Sequence, residues 1–289
     1  MTKKRLNKGK LRLRIVEYVF GVIVALGTLL PVAWMFITSI TYPTDLTALP
    51  LKLIPTHITL ERYLGIFTDS SLSSAAYVFR VSMGNSLIVA FFVTVISLVV
   101  GSTAAYAFAR LRFRFKNSLM MLTLFTYMIP SVALVIPMYV ILSQFGMLNK
   151  KSTLVVLYLS FIIPFIIWVM QGYFGAVSKS FEEAAMLDGC TRLQTLLYIF
   201  LPIARPGLIS TGILAFLMSW DEFFLSLIFT SSTNAKTITV AIAEFNGKFT
   251  IDYGMISTAG ILASLLPVLI TLIFQRYIVM GMTAGGVKE

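Results

Sequence analysis

Six apolar stretches, each near the length needed to cross a hydrocarbon layer, constrain this chain more than any other feature. A bilayer core of about 30 Å takes about 20 helical residues. The stretches run from Ile15 to Ile40, Val81 to Ala109, Leu119 to Leu142, Thr153 to Phe174, Gly207 to Thr230 and Ile256 to Gly281. Of the 289 residues 58% are hydrophobic and only 12% charged, whereas a soluble domain carries about 25% charge. The expectation is an all-α membrane protein with six transmembrane helices. The first stretch is basic and apolar like a signal peptide. Its length and its internal Pro31 and Trp34 predict a retained anchor instead.

Charge sets the orientation. On one side of the spans lie sixteen Lys and Arg, clustered at Lys3 to Arg14, at Arg110 to Lys116 and around the later connections; the other side holds seven. The positive-inside rule therefore predicts that both termini are cytoplasmic. The chain divides into a basic tail (1–14), a membrane domain (15–281) and a short cytoplasmic tail (282–289). The longest connection, Thr41 to Arg80, lies outside, and the next, Gly175 to Pro206, lies inside. The net charge of +11 is spread in short clusters beside apolar runs, which fits an anionic bilayer surface and not nucleic acid.

The usual catalytic and nucleotide patterns are missing. There is no G-x-x-x-x-G-K-[ST], G-x-S-x-G or H-E-x-x-H in the sequence, and Asn246-Gly247-Lys248-Phe249 lacks the rest of a phosphate loop. A lone Cys190 and a lone His57 exclude an internal disulfide and the common zinc spacings. The expectation is no catalytic residue, no metal site and no cofactor bound by this chain.

The inside connection carries local helix signals. Ser180 and Glu183 have capping-box spacing, Gly189 is a stop signal, and a second helix is expected from about Thr191 to Phe200, ended by Leu201-Pro202 and Pro206. Phe181, Ala184, Ala185 and Asp188 fall on one side at helical spacing. Alone, this pattern also fits an amphipathic helix on the membrane surface. In the fifth span, Asp221 and Glu222 stand about 20 Å from the cytoplasmic end, and acids at such depth normally face a pathway or a neighbouring helix. Asn85, Tyr127, Tyr139, Gln171 and Trp220 are further candidates for a translocation path. Pro130 and Pro137 in the third span and Pro267 in the sixth permit bends.

The spacing of the inside loop adds a sharper signal. Glu183-Ala184-Ala185, three residues, Gly189, nine residues, then Ile199-x-Leu201-Pro202 resembles the EAA loop of ABC importer permeases. Trp220-Asp221-Glu222-Phe223, with Asp where Asn is usual, Thr237-Ile238-Thr239-Val240 and the ending FQRYIVMGMTAGGVKE resemble the carbohydrate-uptake, maltose-type (MalG-like) branch. The resemblance covers essentially the whole chain. It implies a type I, MetI-like permease fold in a bacterial or archaeal cytoplasmic membrane. It also implies a second related permease as heterodimer partner, an ATPase dimer that holds ATP and Mg2+, an extracellular solute-binding protein, and a sugar or oligosaccharide as cargo. By the same resemblance Glu182, Glu183, Ala184, Ala185, Asp188 and Gly189 couple to the ATPase, and Gly285 and Gly286 in the tail are a second candidate contact. Cys190 departs from the family's more common alanine. The alternatives are an ion-gradient-driven carrier using Asp221 or Glu222, and an ABC permease for a non-sugar solute.

Overall fold

Apolar runs without charges become helices because a bilayer offers no water to backbone N–H and C=O groups. The computed structural model describes residues 8–49, 53–69, 74–245 and 252–284. Among the described residues four helices are long and apolar enough to cross a membrane, or up to six if each of two bent pairs forms one span. No strand occurs among the described residues, only an isolated bridge between Thr41 and Ile58.

The chain forms two compact units. The first comprises Met1–Thr68 and Phe245–Leu262. Its long helix α1 (Lys8–Ile40) exposes apolar side chains from Ile15 to Phe36, as a lipid-facing or partner-facing helix does. Two short helices, α2 (Pro43–Leu46) and α3 (Glu61–Thr68), follow. Arg62 donates to the carbonyls of Ser39 and Thr41 at 3.1 and 2.7 Å and so closes the end of α1. The buried Asp45 carboxylate accepts from Thr56 and from the backbone N–H of His57, which folds the outer loop on itself.

The second unit comprises Asp69–Glu244 and Ala263–Glu289. Its core is the packing of α4 (Ala75–Arg110) on α7 (Lys151–Ala176) and of α11 (Arg205–Trp220) on both. Small residues let these backbones approach, as is usual in membranes. A Cβ on Gly101 would fall 2.5 Å from Ile166 Cγ2, and one on Gly207 would fall 2.6 Å from the Tyr173 ring. Tyr158, Ile162, Ile166, Met170 and Phe174 of α7 are fully buried in this core.

The third span is not one bent helix. α5 (Lys116–Met128) and α6 (Ser131–Gln144) meet at 90°. The break falls at Pro130, which lacks an N–H and holds Ile129 extended at ψ 122°. Pro137 lies within α6, and Pro267 within the continuous α14 (Tyr253–Ala284); neither interrupts its helix. Most side chains of α5 and α6 are exposed.

Candidate functional site

The inside connection folds into two short helices across a sharp turn. Ser178 caps α8 (Lys179–Leu187) by accepting from the N–H of Ser180, so the helix starts before Ser180 and the expected Ser180–Glu183 box is not the cap. The serine nearest the end of α7 takes that role, and Glu183 is left exposed. At the other end Gly189 adopts φ +80°. Its N–H donates to Met186 O at 3.1 Å while Cys190 N–H donates to Ala185 O at 2.9 Å. This paired closure uses the left-handed conformation that glycine reaches at low cost.

Thr191 then caps α9 (Arg192–Thr195) in a reciprocal box with Gln194. The helix continues through a π turn at Leu196–Phe200 into α10 (Leu201–Ile203). Pro202 is therefore inside the last turn instead of ending the helix before it. The wider turn, with Leu201 N–H reaching Leu196 O, precedes a proline that has no N–H to give. At Ala204 the chain bends by 84° into α11.

Two side chains of α8 face inward, Glu182 and Ala185. Glu182 accepts from Arg192 Nη1 and locks α8 to α9. The outward surface carries Phe181, Glu183, Ala184, Leu187 and Asp188, with Leu187 89% exposed. Ala185 is thus not on the outward side with Phe181, Ala184 and Asp188. The two helices are anchored from behind by Arg110 at the end of α4. Its guanidinium donates to Phe174 O at 3.0 and 2.5 Å and to Val177 O, and lies 4.9 Å over the Phe200 ring. Tyr106, Phe174 and Phe200 pack edge to face beneath it. Sequence patterning had not singled out Arg110; only its place at the end of a span marked it.

The candidate pathway residues do not form one cluster. Asn85 is buried, donates to the carbonyls of Thr233 and Lys236 at 2.9 and 3.0 Å and accepts from Lys151 Nζ at 3.1 Å. Its hydrogen-bonding groups are spent on joining α4, α7 and the outer loop, so it is a clasp instead of a sugar contact. Asn85→Ala is expected to cost about 1 to 3 kcal/mol through the unpaired groups it leaves. Thermal unfolding of the purified protein should show the loss, with the KM for cargo unchanged. Trp220 is buried and stacked on Phe216 at 5.9 Å. Tyr127 and Tyr139 are partly exposed beside Phe165 and Phe229, and Gln171 is half-buried.

Asp221 and Glu222 do not sit within a continuous helix. α11 stops at Trp220 and, after the three residues Asp221 to Phe223, α12 (Phe224–Phe229) begins. Both Glu222 oxygens accept backbone N–H groups, from Leu225 at 2.7 Å and Ser226 at 3.1 Å. A carboxylate at a helix start is stabilised by the free N–H groups there, and both oxygens of this one are engaged in that duty. Asp221 is exposed at the break. Uptake by the unaltered protein should be independent of the proton gradient, as a transport assay in ionophore-treated vesicles would report, and Glu222→Gln should lower the thermal midpoint through the acceptor it removes. Gly285 and Gly286 lie outside the described residues, as do residues 1–7 of the basic tail. Among the described residues no group of His, Cys, Asp and Glu is disposed to hold a metal ion.

Residues 97–283 match the family described as the binding-protein-dependent transport system inner membrane component. The chain is 33% identical over 276 residues to the trehalose/maltose transport system permease protein MalG of Thermococcus litoralis, covering 95% of this chain and 97% of that protein. It is 37% identical over 262 residues to the trehalose transport system permease protein SugB of Mycobacterium tuberculosis, covering 90% and 92%. Among solved structures, a bacterial ABC transporter that imports the acidic polysaccharide alginate superposes with a TM-score of 0.78 at 22% identity, over 95% of this chain and 99% of that one. That likeness shows the fold. A carrier built on Asp221 or Glu222 finds no support in these relatives or in the capping role of Glu222. Sequence and fold together make this chain a membrane permease subunit of the binding-protein-dependent transport system inner membrane component family.

Proposed function

We propose that this chain forms half of the translocation pathway of an ATP-driven importer of a sugar or oligosaccharide. It works with a second, related permease, an ATPase dimer holding ATP and Mg2+, and an extracellular solute-binding protein, in the cytoplasmic membrane of a bacterium or archaeon. The sugar assignment rests on its trehalose and maltose permease relatives.

The observation that carries the mechanism is the preformed two-helix knob of α8 and α9. It is rigid within itself through the Gly189 closure and the Glu182–Arg192 pair, and it is tied to α4 and α7 through Arg110. Short helices are marginal alone in water, so this bracing lets an outward push be passed to the spans instead of being lost in unfolding. Glu183, Ala184 and Asp188, with Phe181 and Leu187, form the surface offered to the ATPase; Glu182, Ala185 and Gly189 set its shape. Closure of the ATPase dimer moves the knob, and the spans exchange an inward-open for an outward-open pathway. The tail at Gly285 and Gly286 is a second contact in this scheme, and Tyr127, Tyr139, Gln171 and Asp221 remain the pathway candidates.

The test is co-purification from native membranes followed by reconstitution with the recovered partners. An ATPase and a second permease should come with the chain, and the vesicles should take up maltose or trehalose when ATP is supplied, unaffected by ionophores. Uptake that collapses with the ion gradient would overturn the ATP-driven reading. ATP-driven uptake of peptides in place of sugars would overturn the cargo.

A further inference from the structure

We propose that this permease holds the phosphate of an anionic phospholipid in a basic cavity on its cytoplasmic face, between the end of α4 and the knob. This inference depends on the orientation of the chain and not on which solute is imported.

The cavity measures about 620 Å³. Its cationic wall is Arg110, Arg112, Lys116, Lys179 and Arg192; its carboxylates are Glu182 and Glu183. Five positive groups thus face two negative ones. Glu182 is already neutralised by Arg192, and Arg110 is spent on the carbonyls of Phe174 and Val177. Arg112 and Lys179 are exposed and make no hydrogen bond or ion pair among the described residues, and Lys116 has only a long 3.4 Å contact to Leu111 O. An arginine fork and two ammonium groups facing one cavity are suited to phosphate oxygens.

Depth argues for a lipid as the source. Ala109 and Leu111, at the cytoplasmic end of the α4 span, give the cavity an apolar wall together with Met186. The connection from α4 to α5 alternates Arg112-Phe113-Arg114-Phe115, and both phenylalanines are exposed, Phe115 by 64%. Aromatic rings interleaved with cations are characteristic of the layer where headgroups meet acyl chains. Phe115 takes φ 62°, an uncommon conformation for a residue with a side chain, as the connection turns into α5. The turn sets this stretch beside the cavity mouth, where a headgroup phosphate reaches the cations while its chains stay in the bilayer.

The experiment is a titration of phosphatidylglycerol into the delipidated transporter complex, read by native mass spectrometry. Each cation near an anionic headgroup contributes about fivefold in affinity. The Arg112→Gln/Lys179→Gln double variant is therefore expected to lose one tightly retained lipid, with affinity falling about thirtyfold. Neither side chain is buried or hydrogen-bonded, so folding should be intact. Lys150→Gln, on the opposite side of the membrane, should retain the lipid as the unaltered protein does. Excess inorganic phosphate should fail to displace the lipid. Displacement by phosphate alone would assign the site to a free anion and overturn the lipid source. Equal retention by the double variant, or equal binding of phosphatidylcholine, would overturn the site itself.

Discussion

Replacing Gly189 by valine is expected to cut ATP-driven uptake by about five- to thirtyfold while the chain still inserts and accumulates in the membrane. The residue stands at φ +80°, and a Cβ built there meets nothing within 4 Å. The penalty is therefore purely one of backbone conformation, about 1 to 2 kcal/mol for an ordinary residue and more for a β-branched one. That strain falls on a helix of nine residues, too short to hold itself together without its ends. The hydrogen bonds from Gly189 to Met186 O and from Cys190 to Ala185 O are the first to yield. Once they open, Glu182 and Arg192 lose their register and the knob no longer presents one shape to the proposed ATPase partner. Gly189→Asn is the informative companion, because asparagine tolerates the left-handed region; it should keep most of the uptake that valine loses. Uptake, basal ATP hydrolysis and membrane abundance measured together decide the matter. Equal uptake by the valine variant would remove Gly189 from the coupling mechanism.

The same loop shows how far sequence reaches and where it stops. Gly189 and the cap residues act through neighbours within a turn, so spacing alone announces a helix, a sharp stop and a second helix. The four unbroken spans are legible for an equally local reason: their length and hydropathy leave the backbone no alternative. Which α8 residues face inward is set by the elements packed behind it, so Glu182, grouped with Glu183 by motif position, turns inward to Arg192 while Glu183 stays exposed. Asn85 needs acceptors about 150 residues away, which no local pattern encodes. The break after Trp220 has no Gly or Pro to announce it; it exists because Glu222 turns back to cap α12. Prolines mislead in the opposite sense. Pro130 breaks a span while Pro137 and Pro267 sit in continuous helices, since neighbours in a bundle decide whether a lost hydrogen bond can be accommodated.

Arg110→Ala should uncouple ATP hydrolysis from uptake and lower the stability of the complex by about 2 to 5 kcal/mol. Three elements meet at this one side chain: the end of α4, the last carbonyls of α7 and the π turn before α10. Those carbonyls belong to a helix C-terminus, where no backbone donor is available and a positive charge is favoured. Alanine leaves them to water at the membrane surface, which offsets part of the loss but supplies no mechanical tie to Phe200. Lysine is the discriminating control. An ammonium keeps the charge at the end of α7 but cannot fork to two carbonyls and stack on the ring at once. Arg110→Lys should therefore recover most of the stability and little of the coupling. The readouts are the thermal midpoint of the purified complex and the ratio of sugar taken up to ATP hydrolysed. A lysine variant that restores both in full would show that charge alone is needed at the end of α7. An alanine variant with normal stability and an unchanged ratio would mean that the knob transmits its motion without Arg110.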